Sequence, residues 1–434
     1  MANNTRIVGL LTLSGMLLAC GPTVTPFLWQ SSVIEEERTF NTLIDTGNGQ
    51  ISHFVSDSSG NNRIDSVDWQ GNSTDTYPIE HRQAVNELVS LNNGNYLAIS
   101  NSQGNITTIS LLSSSLSTLW EVDLSSNNAN ERYRQFTLDA QHNYIAISGI
   151  REPTNTNSTE LDEEFIELRQ LDTGNLIKEQ VIDSQLDIKD IAITAQGTVY
   201  YSVDTEQEDM EAISFFTSDS EYSNYFGTYY EIESIAVLNE DIVFTSHIKI
   251  GELSFDVLGG IPVFSGGLSW MKTFSTNRYG HSLHVRGDNI FFLGKSALNS
   301  VNISNLDAQG NTQWSQKFAT SGTPQQLSIR FDNNNNSLVS YLDSTLFLTP
   351  NDEGLYEYTE NLIHQQISHD GDLIRKIVQE TYTEKNIQLI GPTISTIAGP
   401  TKHLGMLINT NNEIVLLSDI EGEDIENEYA LTLY

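Results

Sequence analysis

The feature that most narrows the possible folds is a unit that keeps returning along the chain. A polar turn rich in Asn, Asp and Gly leads into a short apolar strand that often ends in Ser. Such turn residues favour tight reversals, and β-branched or aromatic residues after them favour extended backbone. The first copies are Gly47-Asn48-Gly49-Gln50-Ile51, Asn93-Gly94-Asn95-Tyr96-Leu97-Ala98-Ile99-Ser100 and Gln141-His142-Asn143-Tyr144-Ile145-Ala146-Ile147-Ser148. They continue as Gln196-Gly197-Thr198-Val199-Tyr200-Tyr201-Ser202, Glu240-Asp241-Ile242-Val243-Phe244-Thr245-Ser246 and Gly287-Asp288-Asn289-Ile290-Phe291-Phe292. Asn335-Asn336-Ser337-Leu338-Val339-Ser340, Asp370-Gly371-Asp372-Leu373-Ile374 and Asn411-Asn412-Glu413-Ile414-Val415-Leu416-Leu417-Ser418 complete a set of nine hairpins.

Strands opening at positions 51, 96, 144, 199, 242, 290 and 338 are separated by 45, 48, 55, 43, 48 and 48 residues. A period in the forties, with further turns inside each unit and apolar runs too short for helices, is the mark of a four-stranded propeller blade. A step of 17 residues from Ile51, Tyr96 or Ile290 reaches a second turn at Asp68, Ser113 or Asp307. The long interval holds the polar stretch from Arg151 to Glu164, an expected exposed loop, and the units after Leu338 are shorter. The expectation is an all-β chain forming a single β-propeller of eight four-stranded blades, with seven as the alternative, over residues 39–434. A ring leaves no free sheet edge only if its ends share a blade, and Glu428 to Tyr434 alternates as a closing strand should.

The second turns lead into aromatic strands: Leu119-Trp120-Glu121-Val122, Ser269-Trp270-Met271-Lys272-Thr273-Phe274 and Gln313-Trp314-Ser315-Gln316-Lys317-Phe318. Leu171-Asp172-Thr173-Gly174, and Leu306-Asp307 followed by Trp314, resemble the blades of quinoprotein-like (PQQ-like, WD40-like) propellers, in which a Leu-Asp strand end, a Gly turn and an outer-strand Trp recur. The resemblance covers the chain from about residue 40 and implies the fold. The quinone dehydrogenases of that group often use an adjacent-cysteine disulfide over their cofactor, and this chain has one cysteine. No cofactor is therefore assigned.

That cysteine lies in the N-terminal region. A polar start with Arg6 is followed by an apolar run from Ile7 to Leu18, long enough for export but short of the about 20 residues that span a bilayer. Leu17-Leu18-Ala19-Cys20 then resembles the lipobox of bacterial lipoproteins. The resemblance implies that residues 1–19 are a cleaved signal peptide and that Cys20 is the lipidation site, held to a membrane by acyl chains. Gly21 rather than Asp follows Cys20, which in the enterobacterial lipoproteins points to the outer membrane over the inner one. Residues 20–38, with Pro22, Pro26 and Glu35-Glu36-Glu37, read as a flexible tether.

The formal charge of −36 becomes −37 when Arg6 leaves with the signal peptide. So acidic a surface repels nucleic acid and anionic headgroups. With one cysteine no intramolecular disulfide, Cys-rich zinc site or iron–sulfur cluster can form.

No phosphate loop, His-Glu-x-x-His or Gly-x-Ser-x-Gly element is present, so no catalytic residue is assigned. His281 and His284 suit metal by type, but an odd offset in a strand sends them to opposite faces. Asp332, Asn334, Asn336 and Asp343 have the alternation of a calcium loop, yet position six is Ser337 instead of Gly and the segment coincides with a repeated hairpin turn. Glu421 to Glu426 reads as a solvated acidic loop, and Trp120, Trp270 and Trp314 as packing between blades. No metal site is assigned. These features together suggest a monomeric, membrane-tethered ring acting as a non-enzymatic module that binds another envelope protein or a surface glycan. The competing reading is a cation-dependent carbohydrate or lactone hydrolase or lyase with its site at the central channel.

Overall fold

A computed structural model describes the strands and most turns between Trp29 and Leu433. Residues 1–28, 388–402, Tyr434 and shorter segments between strands, among them 35–42, 102–106, 154–161, 205–210 and 348–355, lie outside the described residues. The described strands form eight four-stranded antiparallel sheets. Seven are simple meanders of four consecutive strands, A innermost to D outermost, over residues 43–79, 85–123, 129–182, 188–225, 230–275, 278–319 and 325–387. The eighth combines His403–Ile408, Ile414–Gly422 and Ile425–Leu433 with the first strand of the chain, Trp29–Ile34. Strand A of blade 8 lies against strand A of blade 7 (Gln325–Phe331) and of blade 1 (Leu43–Asp45), so the ring closes. The chain is a β-propeller.

Two expectations need correction. The segment read as tether contains Trp29–Ile34, paired from Trp29↔Leu433 to Ile34↔Glu428, so the folded part begins before residue 39. The C-terminal strand does belong to the shared blade, but as its third strand; the N-terminal strand covers the edge it would otherwise leave open. The nine hairpins resolve into eight blades because Asp370–Ile374 is the C–D turn of blade 7, whereas each of the other eight copies leads into a strand B.

One turn chemistry serves both places, which is why they look alike in sequence. Asp307 N–H donates to Asn311 O, Gly310 N–H donates back to Asp307 O, and Gly310 has φ +79°. The Asp307 carboxylate accepts from the backbone of Gln309 and Asn311, as a side chain in an Asx-type turn does. Asp332 does the same for Asn334 and Asn336, with Asn335 at φ +61°. Thr194, Ser113 and Ser368 cap their turns with a hydroxyl instead.

The core lies between blades. Strands B and C are packed on both faces, so Thr107–Leu112 and Glu211–Phe216 are buried at every position, while the outer Thr118–Asp123 and Thr312–Ala319 alternate towards solvent. Ile145, Ile147 and Leu171 of blade 3 join Leu97, Ile109 and Leu111 of blade 2 in one cluster; Phe291 and Ile303 of blade 6 meet Val339 and Tyr341 of blade 7 in another. Burying one such side chain contributes about 1.5–3 kcal/mol, so each interface holds its neighbours firmly. Three interfaces add the same Trp lock. Trp120, Trp270 and Trp314 lie over Gly174, Gly310 and Gly371 in the C–D turn of the next blade. Their Nε1–H groups donate to the carbonyls of Leu171 (2.8 Å), Ala308 (3.1 Å) and His369 (2.8 Å). The expected role of these tryptophans in packing between blades is what the structure has.

Candidate functional site at the loop face of blades 3 to 5

Antiparallel meanders put the A–B and C–D turns at one end of the strands, here the turn face, and the B–C and D–A connections at the other, the loop face. Strand A of seven blades carries a β-bulge near the loop face, leaving Asn86, Arg134, Lys189, Glu233, Gly280 and Leu404 out of register in six of them and a residue between Gln325 and Ser328 in blade 7. Opposite each bulge strand B has a small residue: Ser100, Ser148, Ser202, Ser246, Gly294, Ser340 or Ser418. This is why the repeated strand so often ends in Ser. A bulge re-aims side chains and frees backbone groups from the ladder.

At three interfaces the preceding blade captures the N–H just before the bulge. Tyr133 N donates to Thr107 Oγ1 at 3.0 Å, Ile188 N to Glu164 Oε2 at 2.7 Å, and Ile232 N to Glu211 Oε2. Each acceptor stands at the start of strand C in the blade before. Asp190, on strand A of blade 4, adds acceptance from Ser234 Oγ (2.9 Å) and Ile235 N (2.8 Å) of blade 5.

Around these contacts the charged side chains converge. Arg134 pairs with Glu164 at 2.7 Å and with Asp187; Lys189 bridges Asp187 at 2.9 Å and Asp204 at 3.1 Å. Burial pushes Glu164 and Glu211 up to about 7, against the backbone N–H groups that favour their charged forms. Burial also works against the Asp187 carboxylate, yet hydrogen bonds from Arg134, Glu164 and Lys189 hold it well below the usual range. The same desolvation would lower Lys189, but Asp187 and Asp204 raise it to about 12. The group is therefore a mixed-charge cluster in which Asp187 stays ionised while Glu164 and Glu211 take up protons near neutrality. It can hold blades together and offer Arg134 and Lys189, each about a third exposed, to an approaching polar surface.

The residues singled out in the sequence lie elsewhere. Cys20 is outside the described residues. His281 and His284 fall in an unbroken stretch of strand A of blade 6, which puts them on opposite faces. His284 is partly buried, 3.2 Å from Ser282 Oγ and edge-on to Phe331; desolvation, then Arg330, lowers it to about 4. Asp332 is an A–B turn cap, and Asp343 accepts from Ser321 N and Gly322 N between blades 6 and 7, so the two do not meet at one ligand. Glu421 and Glu426 flank the B–C hairpin of blade 8, where Gly422 pairs with Ile425. Among the described residues no group of three or more His, Cys, Asp or Glu is placed to hold a metal ion. The charged cluster had no sequence signal, since its members are spread from Arg134 to Glu211 with no shared motif.

The sequence matches no protein-family model and no curated protein. Many solved structures resemble the fold. The β-propeller domain of the Trilobed protease from Pyrococcus furiosus has 12% identity and a TM-score of 0.44 over 75% of this chain and 94% of that one. The Dos1 propeller has 8% identity and a TM-score of 0.43 over 92% and 94%. The acylaminoacyl peptidase of Pyrococcus horikoshii has 9% identity and a TM-score of 0.47 over 76% of this chain, which spans only 58% of that protein. The likeness is one of fold.

Proposed function

We propose that the protein is a bacterial lipoprotein, anchored in the cell envelope through acyl chains on Cys20, whose propeller is a non-enzymatic module binding another envelope protein or a surface glycan. The observation that carries this reading is Leu17-Leu18-Ala19-Cys20 at the end of the apolar run, with the chain's one cysteine in the acceptor position. Two or three acyl chains give lasting membrane residence where one does not. Gly21 favours the outer membrane. The Trp-over-Gly lock at three interfaces supports grouping the blades with the quinoprotein-like propellers. The interaction role is supported by the loop-face cluster, whose ionic groups pair with one another, Arg134 with Asp187 linking blade 3 to the entry of blade 4, instead of converging on a single reacting point.

In-cell crosslinking tests the role. A photo-crosslinking residue at Asp162 or Asn299, both exposed at the loop face, is expected to yield a discrete protein or glycan adduct. Adducts with lipid alone would remove the support for an interaction module.

A further inference from the structure

The N-terminal strand fixes how an anchored ring must sit. Trp29–Ile34 is strand D of the closing blade, and strand D runs from the turn face to the loop face. Trp29 therefore stands at the turn-face end, nine residues after Cys20. Nine extended residues reach at most about 30 Å, so acyl chains on Cys20 hold the turn face close to the bilayer.

The surface there is suited to a lipid neighbour. Among the described residues eight large apolar side chains are exposed, and seven stand at the start of strand D or in the turn leading to it. They are Leu119 (54% exposed) in blade 2, Leu176 and Ile177 in blade 3, Leu268 and Met271 in blade 5, and Leu373 and Ile374 in blade 7. All seven lie at the turn-face rim, the end where Trp29 enters. Because they are spread over blades on different sides of the ring, they favour a face laid flat over an edge dipped in.

We propose that the turn face of the propeller is a membrane-contact surface, seated on zwitterionic headgroups with its rim of Leu, Ile and Met side chains at the acyl boundary, and that the loop face is presented away from the bilayer. Apolar groups at such a boundary are buried about 5–10 Å deep. The inference rests on the acylation of Cys20 proposed above.

The test uses the acylated full chain on phosphatidylcholine vesicles containing brominated acyl chains. With the Cys20 thiol blocked by its lipid, a fluorescent label is placed on Met271→Cys, Leu373→Cys or Asp162→Cys, and each variant's melting curve confirms that it folds. Quenching by the brominated lipids is expected to be several-fold stronger at 271 and 373 than at 162. Equal quenching at the two faces, or stronger quenching at 162, by a protein that still sediments with vesicles would overturn the orientation and leave the anchor intact. Unquenched labels at 271 and 373 would likewise overturn it and leave the rim to a protein partner. A purified chain whose mass shows no acyl group, and which stays in the supernatant, would remove the anchor and this inference together.

Discussion

At Gly174 an added Cβ would lie 2.7 Å from Trp120 Cε3, on a backbone already at φ +70°; at Gly94, φ +80°, nothing stands within 4 Å. The two sites separate backbone strain from lost packing. Gly94→Ala is expected to cost about 1 kcal/mol, the penalty of a left-handed non-glycine residue. Gly174→Ala adds displacement of the Trp120 ring and should cost at least about 2 kcal/mol by denaturant titration. Equal losses at the two sites would show that Trp120 does not lock blades 2 and 3. Glu211 provides a residue-level test of the loop-face cluster. Its folded pKa of about 7 is above the ordinary 4.5, so its contribution is fully present below pH 4.5 and is lost as pH rises through 7. Glu211→Gln keeps an acceptor for Ile232 N and removes the charge, so it should gain stability relative to wild type between pH 5 and 8, by up to about 1.4 kcal/mol per pH unit. A stability difference that stays constant across this range would refute the assignment. The tryptophans were legible in sequence because a Trp recurs at the same place after three of the C–D turns. Thr107, Glu164 and Glu211 were not, because the N–H each accepts is 21 to 26 residues away and is exposed by a bulge that has no residue signature.

Among elements, the A–B hairpins gave the repeat its clear period, since the left-handed Gly, Asn or His in the six described A–B turns and the apolar strand after each are both compositional signals. The ninth copy misled because the C–D turn of blade 7 uses the same chemistry: Ser368, Gly371 and Asp372 satisfy the same turn bonds as Thr194, Gly197 and Thr198. Trp29–Ile34 was hidden for a different reason. Its residues, Trp-Gln-Ser-Ser-Val-Ile, lie between prolines and a glutamate run, and only pairing with a strand some 400 residues away makes them a strand. Deleting residues 21–34 should therefore lower the melting temperature of the whole ring and promote association through the edge of Ile425–Leu433, whereas Cys20→Ala should leave melting unchanged. Calorimetry with sedimentation reads both. A deletion that melts like the full chain would mean that this strand does not close the ring.

For the whole molecule, the fold and the proposed address rest on different levels of the sequence. The ring follows from a period and the burial of strands B and C on both faces, so it could be read without any residue-specific motif. The proposed anchor rests on four consecutive residues, Leu17 to Cys20, and the first strand, Trp29–Ile34, begins at the rim where exposed apolar side chains gather. Cell fractionation of wild type and Cys20→Ala, with intact mass of the purified proteins, tests the central claim most directly. The account predicts that wild type is found in the membrane fraction at a mass consistent with loss of residues 1–19 and gain of acyl chains, and that Cys20→Ala is released. Cys20→Ala that stays with the membrane, or wild type that carries no acyl group, would contradict it.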